Sequence, residues 1–323
     1  MFDSGIAEKR ALLTQLQRSD NELAMSLIYG RKNPPDLFGT QIAHDIIPIL
    51  YEIFKKNQKK DTLNLVLRSN GGVLEAPLPI VSLIREFFDN FSVYIPENAH
   101  SAATLLSLGA NKIVMSPLSS LSPVDPQINL PNPEQKENQH SLRFSVEDVA
   151  GYYKLLDKLQ ITDEKKVEAL KFLTEKFPPA LLGQIERVRD LILVIADRII
   201  KANSIDETRK ALIIKKLTED IPSHNYWITR AEAIEIGLPV EKADPETNQL
   251  LDDLMAKYKI MLAEHEHEIV IDIPDGSATL ERVYDRAFIE TPDHTYSFQT
   301  KYVFHRNGKV DRSINEWRPK NED

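Results

Sequence analysis

The chain has 323 residues, 42% hydrophobic and 28% charged, the composition of a globular protein with a prior of about two domains at roughly 150 residues each. Lys and Arg number 40 against 49 Asp and Glu, so the net charge is −9 and a general affinity for nucleic-acid phosphates or anionic lipid is not expected. The absence of cysteine excludes disulfides, thiolate metal sites, iron–sulfur clusters and a cysteine nucleophile.

The first residues, MFDSGIAEKRALLTQLQRSD, carry Asp3 and Glu8 and no continuous apolar run, so they do not read as a secretory signal. No uncharged apolar stretch approaches the roughly 18 residues of a membrane helix. A cytoplasmic protein without an integral membrane segment is expected. The apolar run 24–29 predicts a strand, and Ile42, Ile46, Ile49, Leu50 and Ile53 predict a helix that Pro48 would kink. Residues 63–67 read as a buried strand broken by Asn70-Gly71-Gly72, followed by a helical stripe at Ile80, Val81, Ile84, Phe87 and Phe88. A strand over 91–95, a small-residue helix over 101–109 and a strand over 112–115 come next. This alternation implies a mostly parallel α/β sheet with right-handed crossovers.

The stretch SSLSPVDPQINLPNPEQKENQ is too rich in proline and polar residues for a long regular element. Residues 147–220 then read as helical, broken at Thr162-Asp163 and Pro178-Pro179, with an apolar stripe from Leu181 to Ile199 suited to core or oligomer packing. ITRAEAIEIG predicts a short helix with Thr229 as N-cap, Glu232 as capping-box partner and Gly237 as stop. Beyond it we expect a helix to about Ala263 and then a β-rich region whose Asn307-Gly308 is a strong hairpin signal. The resulting division is a domain over 1–244, with its helical segment at about 146–222, and an accessory β-rich region over 245–323. The run His265-Glu266-His267-Glu268 would place both histidines on one face if extended, as a metal site does, but an exposed polar face is the plainer reading. Trp317 with the tyrosines around it reads as small-sheet core rather than a peptide-binding surface.

Three segments carry chemistry: LRSNGGVLEAP, VYIPENAHSAATLLSLGANKIVMSP and SSLSPVDPQI. A glycine pair after a buried strand lets the backbone approach a ligand and aim its amides outward, so Gly72 N–H suits an oxyanion. Ser101 stands between a strand and a helix of small residues, and Ala102 N–H would be a second donor to the same oxyanion. Taken alone, Ser101 is an ordinary N-cap, Asp125 a turn cap and His224 a structural histidine.

Taken together, these segments resemble the Clp-fold serine peptidases, the ClpP and signal-peptide-peptidase-A group of the crotonase superfamily, and most of all its branch named serine dehydrogenase proteinase. The resemblance covers about 61–127 and 223–240, and the helical middle more loosely. It implies a ClpP/crotonase-like α/β fold of repeated ββα units with a long helical segment and a C-terminal β-rich appendage. It makes Ser101 the nucleophile, Gly72 and Ala102 the oxyanion donors, and Gly71, Val73 and His100 the lining of the substrate site. The chain departs from the family pattern in carrying Asn70 before the glycine pair, where proline is common, and Ala103 where glycine is common. Asp125 falls where ClpP-like enzymes carry the catalytic histidine, and His224 where they carry the aspartate. The two roles therefore read as exchanged, giving Ser101 with His224 as base and Asp125 orienting the imidazole. A rival within the family is a Ser-Lys dyad with Lys136 as base.

The resemblance further implies peptide or unfolded-protein substrates, a homo-oligomer (trimer or ring), and no metal, nucleotide or other cofactor. Two alternatives stay open: an inactive or latent scaffold built on the same core, and an acyl-CoA enzyme of the crotonase type.

Overall fold

Apolar strands bounded by glycine and proline alternate with amphipathic helices, and this order builds a sheet covered on both faces. The computed structural model describes residues 2–30, 40–125, 127–130, 142–176, 178–201, 206–264, 273–274 and 277–320. The chain opens with α1 (Phe2–Leu16), β1 (Glu22–Tyr29), α2 (Ile47–Lys56), β2 (Thr62–Arg68), α3 (Pro77–Phe87), β3 (Asn90–Ile95), β4 (Asn98–Ala99), α4 (Ala102–Leu108), β5 (Lys112–Met115) and β6 (Ser120–Leu121). It continues through β7 (Gln127–Leu130), β8 (Leu142–Ser145), α5 (Val146–Lys158), α6 (Asp163–Lys176), α7 (Pro179–Lys201) and α8 (Glu207–Lys215). The last elements are β9 (Ile228–Thr229), α9 (Arg230–Ile236), β10 (Val240–Lys242), α10 (Pro245–Met261), β11 (Thr279–Glu290), β12 (Thr295–His305) and β13 (Val310–Pro319). Two compact units result, Met1–Leu121 with Ile228–Asp323, and Ser122–Trp227.

The first unit holds an eight-stranded sheet in the order β10-β5-β3-β2-β1-β11-β12-β13. The five strands from β10 to β1 run parallel, and β11, β12 and β13 add antiparallel ones. The alternation of side chains along a strand divides the core. Ala24, Ile28, Val66, Tyr94 and Val114 pack with Leu13 and Leu16 of α1 and with Leu251, Leu254 and Tyr258 of α10. Leu23, Met25 and Leu27 point to the other face and are equally buried. Lys9 of α1 is fully buried, ion-paired with Glu290 at 2.6 Å and lying over the rings of Tyr258 and Phe288. That burial pulls the Lys9 pKa below the ordinary lysine value.

A second, three-stranded sheet, β4-β6-β9, sits above the C-terminal ends of the parallel strands. Each step of the chain thus runs from a main-sheet strand to a short strand or bridge of the small sheet: β3 to β4 and then α4, β5 to β6, and β2 to Ser69, which bridges Ala99 before α3 begins. The mixed α/β fold is the one the alternation implies. The 245–323 region contributes α10 to the core and continues the main sheet, Ser26 pairing with Glu290 and Tyr29 with Ala287, so β11 covers what would be an open edge. Pro48 stands in the first turn of α2 rather than inside it, where its missing N–H costs nothing. The capping box at Thr229 and Glu232 forms as the sequence predicts, and Gly237 ends α9 in the left-handed conformation.

The second unit consists of the β7–β8 hairpin and the helices α5 to α8. Ile185, Ile192, Ile195 and Ile199 are the buried stripe of α7, with Ile213 of α8 also buried. Lys210 of α8 is buried and bridges Asp197 at 2.8 Å. Among the described residues no helix is long and apolar enough to cross a membrane.

Candidate active site

At the end of β2 the chain enters the small sheet for one residue and then turns. Ser69 N–H donates to Asn98 O at 3.0 Å, and Ser69 O accepts from His100 N–H at 3.0 Å. Asn98 Nδ2 adds donors to Ser69 O and Asn70 Oδ1, both at 2.9 Å. The Ser69 hydroxyl then closes the turn, accepting from Gly71 N–H at 3.0 Å and donating to Gly71 O at 3.1 Å. The turn is fixed from three sides before any ligand arrives.

Gly71 has φ +115°, and a Cβ built on it would stand 2.9 Å from Ser101 Cβ and 3.4 Å from Ser101 Oγ. Glycine at this place is what lets the serine lie against the turn. Gly72 is required by space alone, since a Cβ there would come within 2.0 Å of Ile42 O. Ile42 N–H donates to Gly71 O at 3.0 Å and Ile42 O accepts from Val73 N–H at 2.8 Å. In a parallel bridge that uses the flanking residues in this way, the N–H of Gly72 itself is directed away from Ile42. Its amide is thereby released from the ladder.

Ser101 stands at the start of α4 with φ 52° and ψ −115°, makes no side-chain capping bond, and is half-buried. A non-glycine residue in this region stores about 1–3 kcal/mol of strain. What holds it there is α4, every residue of which is buried. Thr104 Oγ1 donates to Ala99 O at 2.8 Å, Ala103 N–H to His100 O at 2.9 Å and Leu105 N–H to Ser101 O at 3.1 Å. Ala102 is buried directly behind the serine, and Val73 is half-buried beside the turn. The His100 ring contacts Ser120 Oγ at 2.9 Å through Nε2, which ties it to β6.

The layer beneath the turn was not legible as functional. Arg68, only 1% exposed, meets Glu97 at 3.0 Å and Glu264 at 2.7 Å, and Lys259 pairs with Glu97 in turn. This buried cluster ties β2, the β3–β4 connection and the end of α10 together immediately below Ser69. An arginine closing the otherwise apolar strand TLNLVLR was the available signal. Its partners, 29 and 196 residues away, were not visible.

The first unit therefore brings together Ser101, Gly71, Gly72, Ala102, Val73 and His100. Asp125 and His224 belong to the second unit. Asp125 is 6% exposed and follows Val124, whose N–H donates to Leu217 O at 2.8 Å. His224 is half-buried, with Nδ1 enclosed and without a hydrogen-bond partner among the described residues. Lys136 and the run His265-Glu266-His267-Glu268 lie outside the described residues. Trp317 packs against Tyr29 and Phe298 and donates from Nε1 to Asp45 Oδ2 at 3.1 Å, a packing role.

No protein-family model matches the chain. Among curated proteins it is 25% identical over 248 residues to the uncharacterized protein MJ0137 of Methanocaldococcus jannaschii, a match spanning 75% of this chain and 77% of that one. The uncharacterized protein MJ1495 of the same organism is 27% identical over 183 residues, 57% of this chain and 53% of its own length. Among solved structures the chain is similar to a serine-to-alanine mutant of the 1510-N membrane-bound stomatin-specific protease, at 16% identity and TM-score 0.37 over 67% of this chain and 79% of that one. It is also similar to ClpP1 from Listeria monocytogenes, at 14% identity and TM-score 0.34 over 76% of this chain and 99% of that one.

Proposed function

We propose that this protein is a Clp-fold serine peptidase of the serine dehydrogenase proteinase branch, hydrolysing amide bonds of peptides or unfolded chains through an acyl-enzyme on Ser101. The observation that carries this reading is the backbone of Ser101, held at φ 52° against the glycine turn by a wholly buried helix. Strain of this kind is retained where a hydroxyl must project from a fixed position.

In the proposed reaction Ser101 Oγ attacks the scissile carbonyl carbon while its proton passes to the imidazole of His224, which Asp125 orients. The oxyanion accepts hydrogen bonds from the N–H groups of Gly72 and Ala102. The C–N bond breaks as the imidazolium returns the proton to the departing amine. Water, giving a proton to the same imidazole, then attacks the ester, and the imidazolium returns that proton to Ser101 Oγ as the C–O bond breaks and the acid leaves.

Chain connectivity supports this assignment. Ala99 pairs with Leu121, and Leu121 with Ile228, side by side in the small sheet. Ser101 follows Ala99 by two residues, Asp125 follows Leu121 by four, and His224 precedes Ile228 by four. The enzyme acts without cofactor, as a cytoplasmic homo-oligomer.

The enclosed, unpartnered Nδ1 of His224 favours a second reading, a latent form in which the carboxylate–imidazole bond closes only on assembly or substrate binding. Labelling with a fluorophosphonate probe tests both. Wild type should label covalently, Ser101→Ala should not, and His224→Ala and Asp125→Asn should label at least 100-fold more slowly. Labelling that survives Ser101→Ala, or none in the assembled protein with peptide present, would overturn the peptidase reading.

A further inference from the structure

The ladder of β2 stops short of the glycine turn. Its last pairs are Ile28 with Arg68 on one side and Val66 with Tyr94 on the other, so residues 69–72 run beyond the main sheet, held by two isolated bridges, Ser69 to Ala99 and Gly72 to Ile42. One bridge fixes a point on the chain but not the direction of the peptides that follow it. The Ser69 bridge also leads straight to the nucleophile, since Ala99 precedes Ser101 by two residues in the same stretch of chain.

Asn98 supplies the further restraint. It is 8% exposed, and its main chain is anchored to β6, where it pairs with Ser120 while the neighbouring Glu97 O accepts from Ser120 N–H at 2.8 Å. Towards the turn it grips Ser69 twice: Asn98 O accepts from Ser69 N–H at 3.0 Å, and Asn98 Nδ2 donates to Ser69 O at 2.9 Å. A carbonyl only accepts, so the nitrogen of the amide is the atom that faces it. The other hydrogen of Nδ2 reaches one residue further, to Asn70 Oδ1 at 2.9 Å. Both amide hydrogens are therefore committed to the two residues that enter Gly71 and Gly72.

We propose, on the peptidase reading above, that Asn98 is a positioning residue of the oxyanion turn: through Ser69 O and Asn70 Oδ1 its side chain ties the turn to the strand that carries Ser101, and so sets the separation between Gly72 N–H and Ser101 Oγ. Its contribution to rate is separable from its contribution to stability. Ser69 O also accepts from His100 N–H at 3.0 Å, so removing the Asn98 amide leaves that buried carbonyl with a donor. Asn70 is exposed, where water replaces the lost partner. A donor displaced by about 1 Å, in contrast, costs up to about 100-fold in rate.

The test is the rate and final stoichiometry of fluorophosphonate labelling of the full chain, with amide hydrogen exchange of the same proteins followed over residues 68–73 and 102–108. Asn98→Ala should label about 10- to 100-fold more slowly, reach the wild-type stoichiometry and keep the pH midpoint of labelling, because the base is undisturbed. Asn70→Ala, a change at an exposed position that removes one of the two bonds, should slow labelling by a smaller factor, and the double variant should be no slower than Asn98→Ala. Exchange over 68–73 should quicken about 10-fold in Asn98→Ala while exchange over 102–108 stays as in wild type. Labelling of Asn98→Ala at the wild-type rate, a slower rate accompanied by lost stoichiometry or a moved pH midpoint, or additive effects of the two asparagine changes would each overturn the assignment. If wild type does not label, faster exchange over 68–73 in Asn98→Ala still supports the clamp and unchanged exchange overturns it, so the two readings fail separately.

Discussion

The turn after β2 and the turn between β12 and β13 are both built on Asn-Gly, Asn70-Gly71 in one and Asn307-Gly308 in the other, and both hold the glycine at positive φ, +115° and +81°. Around Gly308 a Cβ would meet nothing within 4 Å, whereas around Gly71 it would meet Ser101 and around Gly72 the backbone of Ile42. One turn needs glycine for conformation only; the other needs it for conformation and for space. The contrast continues in the supporting layers. The hairpin turn is held by local bonds such as His305 N–H to Lys309 O at 2.9 Å. The β2 turn is held by Ser69, Asn98 and the buried Arg68 cluster, drawn from three separate stretches of chain. A dipeptide identical in sequence becomes an open hairpin turn in one place and a tightly enclosed turn in the other, according to what packs against it.

Substitutions of graded severity sharpen this contrast. The largest effect is expected from Arg68→Met, which leaves Glu97 and Glu264 facing a buried site without their partner and should cost about 3–5 kcal/mol in denaturant unfolding. Gly72→Ala should follow at about 3 kcal/mol, because backbone rather than a mobile side chain must give way. Gly71→Ala should cost about 1–3 kcal/mol and, unlike any change at the hairpin, abolish fluorophosphonate labelling by displacing Ser101. The smallest effect belongs to Gly308→Ala, about 1 kcal/mol from positive φ alone, with labelling unchanged. Equal losses at Gly71 and Gly308, or labelling that survives in Gly71→Ala, would remove the distinction between the two turns.

Much of this was written locally. The strands β2, β3 and β5 are short apolar runs ended by Asn, Gly or Pro, and the α9 helix carries its start and stop signals within ten residues, so both kinds of element were legible. Ser101 and the glycine pair were legible only in combination with the SSLSPVDPQI segment, through the family resemblance, since a serine before a helix is by itself an ordinary N-cap. What stayed hidden depends on distance along the chain. That β11 pairs with β1 is a choice of partner across some 260 residues, which periodicity does not encode. The strained φ of Ser101 follows from the burial of α4 on all sides, and the stripe of small residues only hinted at that. The roles of Ser69, Asn98 and Arg68 arise from contacts that no spacing announces.

The antiparallel pair β6–β9 has one further consequence. Leu121 and Ile228 are cross-strand neighbours, yet the whole of Ser122–Trp227 is strung between them. Topologically this is an inserted module entered and left through one narrow doorway, so its interior can be lengthened, trimmed or exchanged without asking any strand of the main sheet to change partner. Natural variation in such a lineage should therefore concentrate between those two residues, and the few positions just inside the doorway should be the ones that cannot drift.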